Sequence, residues 1–309
     1  MTTHEEMAMV LAGVPARRRR ERRIRRFFFA AAATSVVISL AIVASLAGEA
    51  WTFISNVDLS ALRSLGWFPR RGMYDIATLF AGTVLVAGIA MLVAAPLGMG
   101  SAVYLSEYGS PRTRRILKPV LEVLAGIPSV VLGFFALTFI TPTVLKAIFG
   151  DAIAGFNMLA AGIGVGILTI PLVASITEDA LRAVPRALRE ASYGLGASRM
   201  TTSIRVVVPA AVSGVTASLI LAFSRAVGET MVVAIAAGAT GGSLFSWDPL
   251  TNGQTMTAAM AALAIGSDRV RGDDYAFQSL FFLGLLLFLV TLILNVVSER
   301  FVRRVRQKY

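Results

Sequence analysis

Six stretches of this chain are each apolar enough and long enough to cross a lipid bilayer. They are Phe27–Ala47, Ile76–Leu105, Val120–Leu145, Phe156–Ile176, Val206–Gly238 and Ala276–Val297. A helix needs about 20 apolar residues to traverse the hydrocarbon core. No water is there to satisfy the backbone, so each span must close its own hydrogen bonds. The sequence therefore predicts an all-α, polytopic membrane protein with six transmembrane helices. A mean hydropathy of +0.73 excludes an ordinary soluble domain. The third and fifth stretches exceed the needed length and carry Gly or Pro, which predicts tilt, kinks or re-entrant turns.

Charge sets the orientation. Of the 29 Lys and Arg residues, 22 fall in four places: before Phe27, in Ser106–Pro119, in Glu178–Arg205 and after Ser298. Six fall in the intervening loops, and Arg225 lies inside a span. The positive-inside rule then predicts that both termini are cytoplasmic. The net charge of +11 is thus mostly a topology signal. The run Arg17–Arg26 reads as a solvated flank attracted to anionic lipid. A nucleic-acid arm would need interleaved aromatics or a folded platform, and the run has neither. Ser45-Leu46-Ala47 resembles a signal cleavage site, but the 21-residue apolar stretch Phe27–Ala47 exceeds a typical h-region of about 7–15 residues. It reads as a retained anchor.

The expected organisation is a basic cytoplasmic tail (1–26), a first transmembrane helix with its outer segment (27–75), a five-helix core (76–301) and a basic cytoplasmic end (302–309). No internal repeat is evident. Glycines recur in the spans (Gly82, Gly88, Gly98, Gly100, Gly162, Gly164, Gly166), where close helix packing and gating flexibility are alternative roles.

The residue inventory excludes much chemistry. Cysteine is absent, and the one histidine, His4, lies in the N-terminal tail, so the usual metal and general-base constellations are missing. A phosphate-binding P-loop needs Gly-Lys-Ser/Thr, whereas Lys118, Lys146 and Lys308 follow Leu, Leu and Gln. ATP hydrolysis would belong to a partner, and no cofactor is expected. A membrane-embedded enzyme or sensor would need intramembrane catalytic groups, and only Arg225 and Glu229 are candidates.

Between two apolar spans lies a polar, basic segment, EASYGLGASRMTTSIRVVVP (Glu190–Pro209). Glu190, Ala191 and Ser192 are followed by Gly196 and, thirteen residues on, by Pro209. This spacing resembles the coupling loop of ABC importer permeases, E-A-A, three residues, Gly, nine residues, I-x-L-P. Ser192 stands at the third small position, and Val206 and Val208 at the Ile and Leu. In that family the loop forms two short helices that dock on a cytoplasmic ATPase. The residues suit this: Ala187–Tyr193 can be helical, Gly194 and Gly196 permit a sharp bend, Ser198 can cap a second helix, and Pro209 would mark the start of the next span.

Arg225 and Glu229 in SRAVGET are four residues apart, one helical turn on a common face. Ionisable groups at that depth are paired or face a polar cavity. Two readings stand, a structural ion pair and a translocation-path site for an anion. Glu122 is a weaker path candidate, its alternative being a headgroup-level partner for Lys118.

YLSEY (Tyr104–Tyr108), LEVLAGIPSVVLGFFAL (Leu121–Leu137), RAVGETMVVAIAAG (Arg225–Gly238) and LNVVSERFVRR (Leu294–Arg304) together resemble the PstC-type permeases of bacterial phosphate importers. The resemblance covers about Ile76 to Arg304 and implies a type I importer (MetI-like) core. It also implies a PstA-like sister permease, two PstB-like ATPase subunits, a PstS-like extracytoplasmic phosphate-binding protein, and inorganic phosphate as cargo. Another oxyanion, sulfate or molybdate, is the alternative.

Overall fold

The computed structural model describes residues 15–58, 60–238, 242–265 and 275–305. His4 and the rest of 1–14, Arg269 and Arg271 of the expected outer loop, and residues 306–309 lie outside them. The chain divides between Glu49 and Ala50 into two compact units.

The first unit holds most of helix α1 (Pro15–Asn56), 42 residues long. At 1.5 Å per residue α1 measures about 63 Å, twice the hydrocarbon thickness of a bilayer. No Gly or Pro interrupts it between Arg20 and Ala47, so the basic run and the apolar stretch form one rod. Phe27, Phe28 and Phe29 are 65–74% exposed, which suits side chains that meet lipid.

In the second unit, α2 (Ile76–Val103) runs into a wide π turn at Tyr104–Tyr108. Then follow α3 (Pro111–Ala125), α4 (Ser129–Phe135), which continues in π winding through Ala136–Leu145, and α5 (Met158–Arg182). Two short helices, α6 (Arg186–Gly194) and α7 (Arg199–Thr202), precede α8 (Val212–Val227). The unit closes with α9 (Met256–Ile265) and α10 (Gln278–Val305). Side chains of the local sequence fix the starts. Asp75 accepts from the Ala77 and Thr78 amides at the head of α2. Asn157 accepts from Ala160 N (2.7 Å) at the head of α5 and donates to Thr141 Oγ1.

α2 and α5 form the spine. A Cβ at Gly162 would lie 2.6 Å from Ile89 Cβ, and one at Gly98 2.6 Å from Val173 Cβ, so these glycines permit backbone approach. Gly88 and Gly100, by contrast, have nothing within 4 Å. A buried hydroxyl pair, Thr177 Oγ1 with Ser218 Oγ at 2.7 Å, ties α5 to α8. A second core gathers Phe53, Trp67, Tyr74, Leu79, Met256 and Leu283, so residues from Ala50 onward pack with the spans that follow. Trp67 and Tyr74 reach it from a three-stranded antiparallel sheet, β1 (Gly66–Phe68) between β2 (Met73–Tyr74) and β3 (Ser243–Leu244), with Trp67 opposite Tyr74 and Ser243.

Among the described residues five helices are long and apolar enough to span a membrane, six if the bent pair Arg199–Ala210 and Val212–Val227 is one crossing. The architecture is thus the expected helical polytopic one, with two of its spans redrawn. The third begins at Ser129, not Val120. Val120–Ala125 belongs to α3, and the Gly126-Ile127-Pro128 break follows because Pro128 lacks an N–H and disfavours helical backbone at Ile127. The expected Val206–Gly238 span is in pieces: it bends by 72° at Ala211 and breaks again at Gly228–Thr230. Pro209 does not open the next span. It sits in a short helical turn, Val208–Ala210, and α8 starts three residues later. The apolar helix α9 lies in a stretch that the sequence presents as outer loop.

Candidate functional site

The segment from Arg186 to Ala210 is a helix–turn–helix. α6 ends at Gly194, and Gly196 takes a left-handed φ of +77° that turns the chain without a Cβ penalty. Ser198 Oγ then accepts from Thr201 N at 3.2 Å and caps α7. Ser192 Oγ and Thr202 Oγ1, 2.9 Å apart, pin the two helices together. The serine at the third small position of the motif thus holds the loop closed. Glu190, Ala191, Gly196 and Pro209 are all exposed. So are Leu195 (88%) and Met200 (64%), two apolar side chains on the same short helix–turn–helix as the acidic Glu190. No signal marked them in the sequence, because a loop apolar residue is indistinguishable there from a buried one.

The inner side of α6 is tied down. Arg189 donates through Nη2 to Glu107 Oε1 (2.9 Å) and through Nε to Glu107 Oε2 (3.2 Å). Arg199 lies 5.3 Å above the ring of Tyr108. Arg114 donates to the carbonyls of Leu105 and Ser106. Sequence reasoning quoted YLSEY as a family stretch but assigned its Glu107 no role.

The second site is a cavity of about 220 Å³ lined by Lys118, Glu122, Ser175, Glu178 and Arg225, among others. Arg225 and Glu122 are exposed to it, from α8 and α3. Glu178 has no solvent exposure. Its carboxylate is met by Arg114 Nε (3.4 Å), Lys118 Nζ (3.5 Å) and Arg182 Nη1 (3.6 Å). Lys118 therefore pairs with Glu178, and at 3.8 Å with Asp179, rather than with Glu122.

The expected Arg225–Glu229 arrangement is not what forms. α8 stops at Val227, because Gly228 closes it, and the two side chains share no helical face. Among the described residues they make no ion pair. Glu229 Oε1 instead approaches Val232 N at 3.5 Å at the start of the next helical turn, and the Glu229 carbonyl accepts from Thr257 Oγ1. The two residues flank a break in the chain, and Arg225 alone of the pair lines the cavity.

A bundle of broken spans with small-residue contacts, a paired-helix loop at its basic end and a charged cavity define a polytopic membrane transport protein. The chain belongs to the family described as binding-protein-dependent transport system inner membrane component, whose model matches residues 94–307. It is 33% identical to the phosphate transport system permease protein PstC of Mesorhizobium japonicum, over 87% of this chain and 86% of that one. It is 34% identical to phosphate transport system permease protein PstC 1 of Mycobacterium tuberculosis, over 77% and 75%. A chain of the bacterial alginate ABC transporter, solved with its alginate pentasaccharide-bound periplasmic protein, superimposes with a TM-score of 0.64. It is 14% identical and covers 92% of this chain and 96% of its own. A chain of the inward-facing MetNI methionine ABC transporter gives 0.53 at 19% identity, over 74% and 94%. These two show the shared fold.

Proposed function

We propose that this chain is the PstC-type permease subunit of an ATP-driven phosphate importer. It shares the translocation path with a PstA-like sister permease and receives phosphate from a PstS-like binding protein. A pair of PstB-like ATPase subunits drives it. The observation that carries this reading is the α6–α7 loop, which offers Glu190, Leu195 and Met200 outward while its inner face is anchored. An acidic group beside protruding apolar side chains is the chemistry of a protein docking surface. The 22 basic residues on one side support placing both termini and this loop in the cytoplasm.

ATP binding closes the motor dimer and pulls the docked loops, and the path turns from inward-facing to outward-facing. Phosphate then enters, and hydrolysis resets the cycle. Glu190, Ala191, Ser192, Gly196 and Pro209 shape the coupling loop. Arg225 and Glu122 line the path, and Glu229 stands at the break beside it. The chain itself performs no hydrolysis.

The cavity's composition favours phosphate over the alternative oxyanions. Lys118 and Arg225 attract an anion, and Glu122 presents a carboxylate to the same space. Phosphate near neutral pH keeps at least one P–O–H that can donate to a carboxylate, whereas sulfate and molybdate have none and meet only repulsion there.

The test is ATP-driven uptake of labelled phosphate into proteoliposomes holding this chain, a sister permease and the ATPase, with binding protein added. Uptake blocked by unlabelled phosphate but not by sulfate or molybdate is the expected result. Displacement by either of those would keep the permease and discard phosphate.

A further inference from the structure

We infer that the Glu107–Arg189 pair is the joint through which the coupling loop moves the second span, and that both are positioning residues for transport. The inference rests on the reading of the α6–α7 loop as the motor's docking site.

Arg189 precedes Glu190 and lies about 100° around α6 from it, toward the body of the bundle. Glu190 is exposed, while the Arg189 side chain is 17% exposed and that of Glu107 only 5%. A force on the outer face of α6 thus arrives, one residue along, at a guanidinium. That guanidinium grips Glu107 with two nearly parallel hydrogen bonds of 2.9 and 3.2 Å, which fix orientation as well as distance. Its remaining capacity goes to the frayed end of α5, where Nη1 donates to the Val184 carbonyl (2.7 Å) and Nη2 to the Leu181 carbonyl (2.9 Å). One side chain therefore joins the loop, the end of α2 and the end of α5.

The receiving element is built to pass a displacement on. Glu107 sits in the π turn that ends α2, and π turns inside helices mark places where register is reset. Ser106 Oγ donates to Glu107 Oε1 at 2.8 Å and holds the carboxylate in place. The Arg199–Tyr108 stack makes a second link from the loop to the same turn. Arg114 carries the connection onward, since it touches both the Leu105 carbonyl and Glu178, and Glu178 lines the cavity. The connection from Glu190 to the path runs along the α6 backbone to Arg189, across the ion pair to Glu107, through the backbone of the π turn to Arg114, and on to Glu178.

A pair that only stabilised the fold would serve poorly here, because a buried ion pair adds little net stability over an apolar one. Its value is geometric. The readout must therefore be one that stability does not move, the number of phosphate ions imported per ATP hydrolysed.

The experiment uses the complete complex in proteoliposomes with labelled inorganic phosphate and loaded binding protein. In Glu107→Gln and in Arg189→Lys, ATPase subunits stay bound to the permease while phosphate moved per ATP falls about tenfold. Arg189→Lys keeps the positive charge but loses the two-pronged grip. It decides the question if Glu107→Gln fails to assemble. An unchanged ratio in an assembled variant overturns the inference alone. Failure of the unmodified chain to hold the ATPase overturns the docking reading and this inference with it.

Discussion

Nε of Arg114 on α3 lies 3.4 Å from Oε1 of Glu178 on α5, a carboxylate with no solvent exposure and two further cations beside it. Among the described residues it is the one carboxylate paired with all three cations; Asp179 meets Lys118 alone, at 3.8 Å. Glu178→Gln should destabilise the protein by about 2–4 kcal/mol, less than loss of a fully buried partner because Lys118 and Arg182 are partly exposed. Lys118→Met should cost clearly less, since two cations remain. Thermal unfolding of the detergent-solubilised protein, with both variants side by side, measures the difference.

Glu190→Ala removes an exposed side chain with no hydrogen bond or ion pair among the described residues. Stability should stay within about 0.5 kcal/mol of the parent, while phosphate uptake falls about tenfold or more. Normal uptake in that variant would sink the assignment of the loop.

Gly196 has open space around it and a φ of +77°. Gly196→Ala should therefore act through backbone strain alone, about 1–2 kcal/mol, concentrated in the turn between α6 and α7. Gly196→Asn should be milder, because Asn tolerates the left-handed region. Uptake in the order Gly, Asn, Ala checks this; equal loss in both would point to side-chain size instead.

Arg225→Gln should lower uptake by about tenfold through loss of the field that draws anions into the cavity, with stability nearly unchanged. Exchanging the charges, Arg225→Glu with Glu229→Arg, should recover nothing, because the two make no ion pair. Recovery by the exchanged pair would restore the ion-pair reading.

Gly162→Ala would place a methyl 2.6 Å from Ile89 Cβ. Overpacking of this kind costs about 1–3 kcal/mol, and the α2–α5 spine should loosen. The same change at Gly88, which faces open space, is the control and should unfold at the parent's temperature.

Much of the fold was legible because lipid leaves the backbone so few solutions. The first, second, fourth and last spans follow directly from apolar length. That the third and fifth stretches would kink was legible from their length and their Gly and Pro; that they break at Gly126–Pro128, Ala211 and Gly228 was not, since only neighbours decide where such a chain bends. α9 escaped notice because its ten residues are half a crossing. The α6–α7 loop could be read because its geometry is local: a capping Ser198, a left-handed Gly196, a fixed spacing. Glu107 and Arg189 could not be paired by eye, being 82 residues apart. Arg225 and Glu229 misled for the reverse reason, since a four-residue spacing means a shared face only where the helix continues.

The 72° bend at Ala211 has a consequence for how such a chain can change. From Arg199 to Ala210 the backbone is one helical arm, and it meets α8 at a fixed angle. Such an arm behaves as a crank whose phase is set by residue count. Deleting one residue would swing Met200 and its neighbours by about 100° and turn the outward face of the loop aside, though every side chain survived. A substitution between Gly196 and Ala211 alters one side chain or one turn, while an insertion or deletion re-aims the whole outward face. Length, as well as identity, is what this segment has to keep.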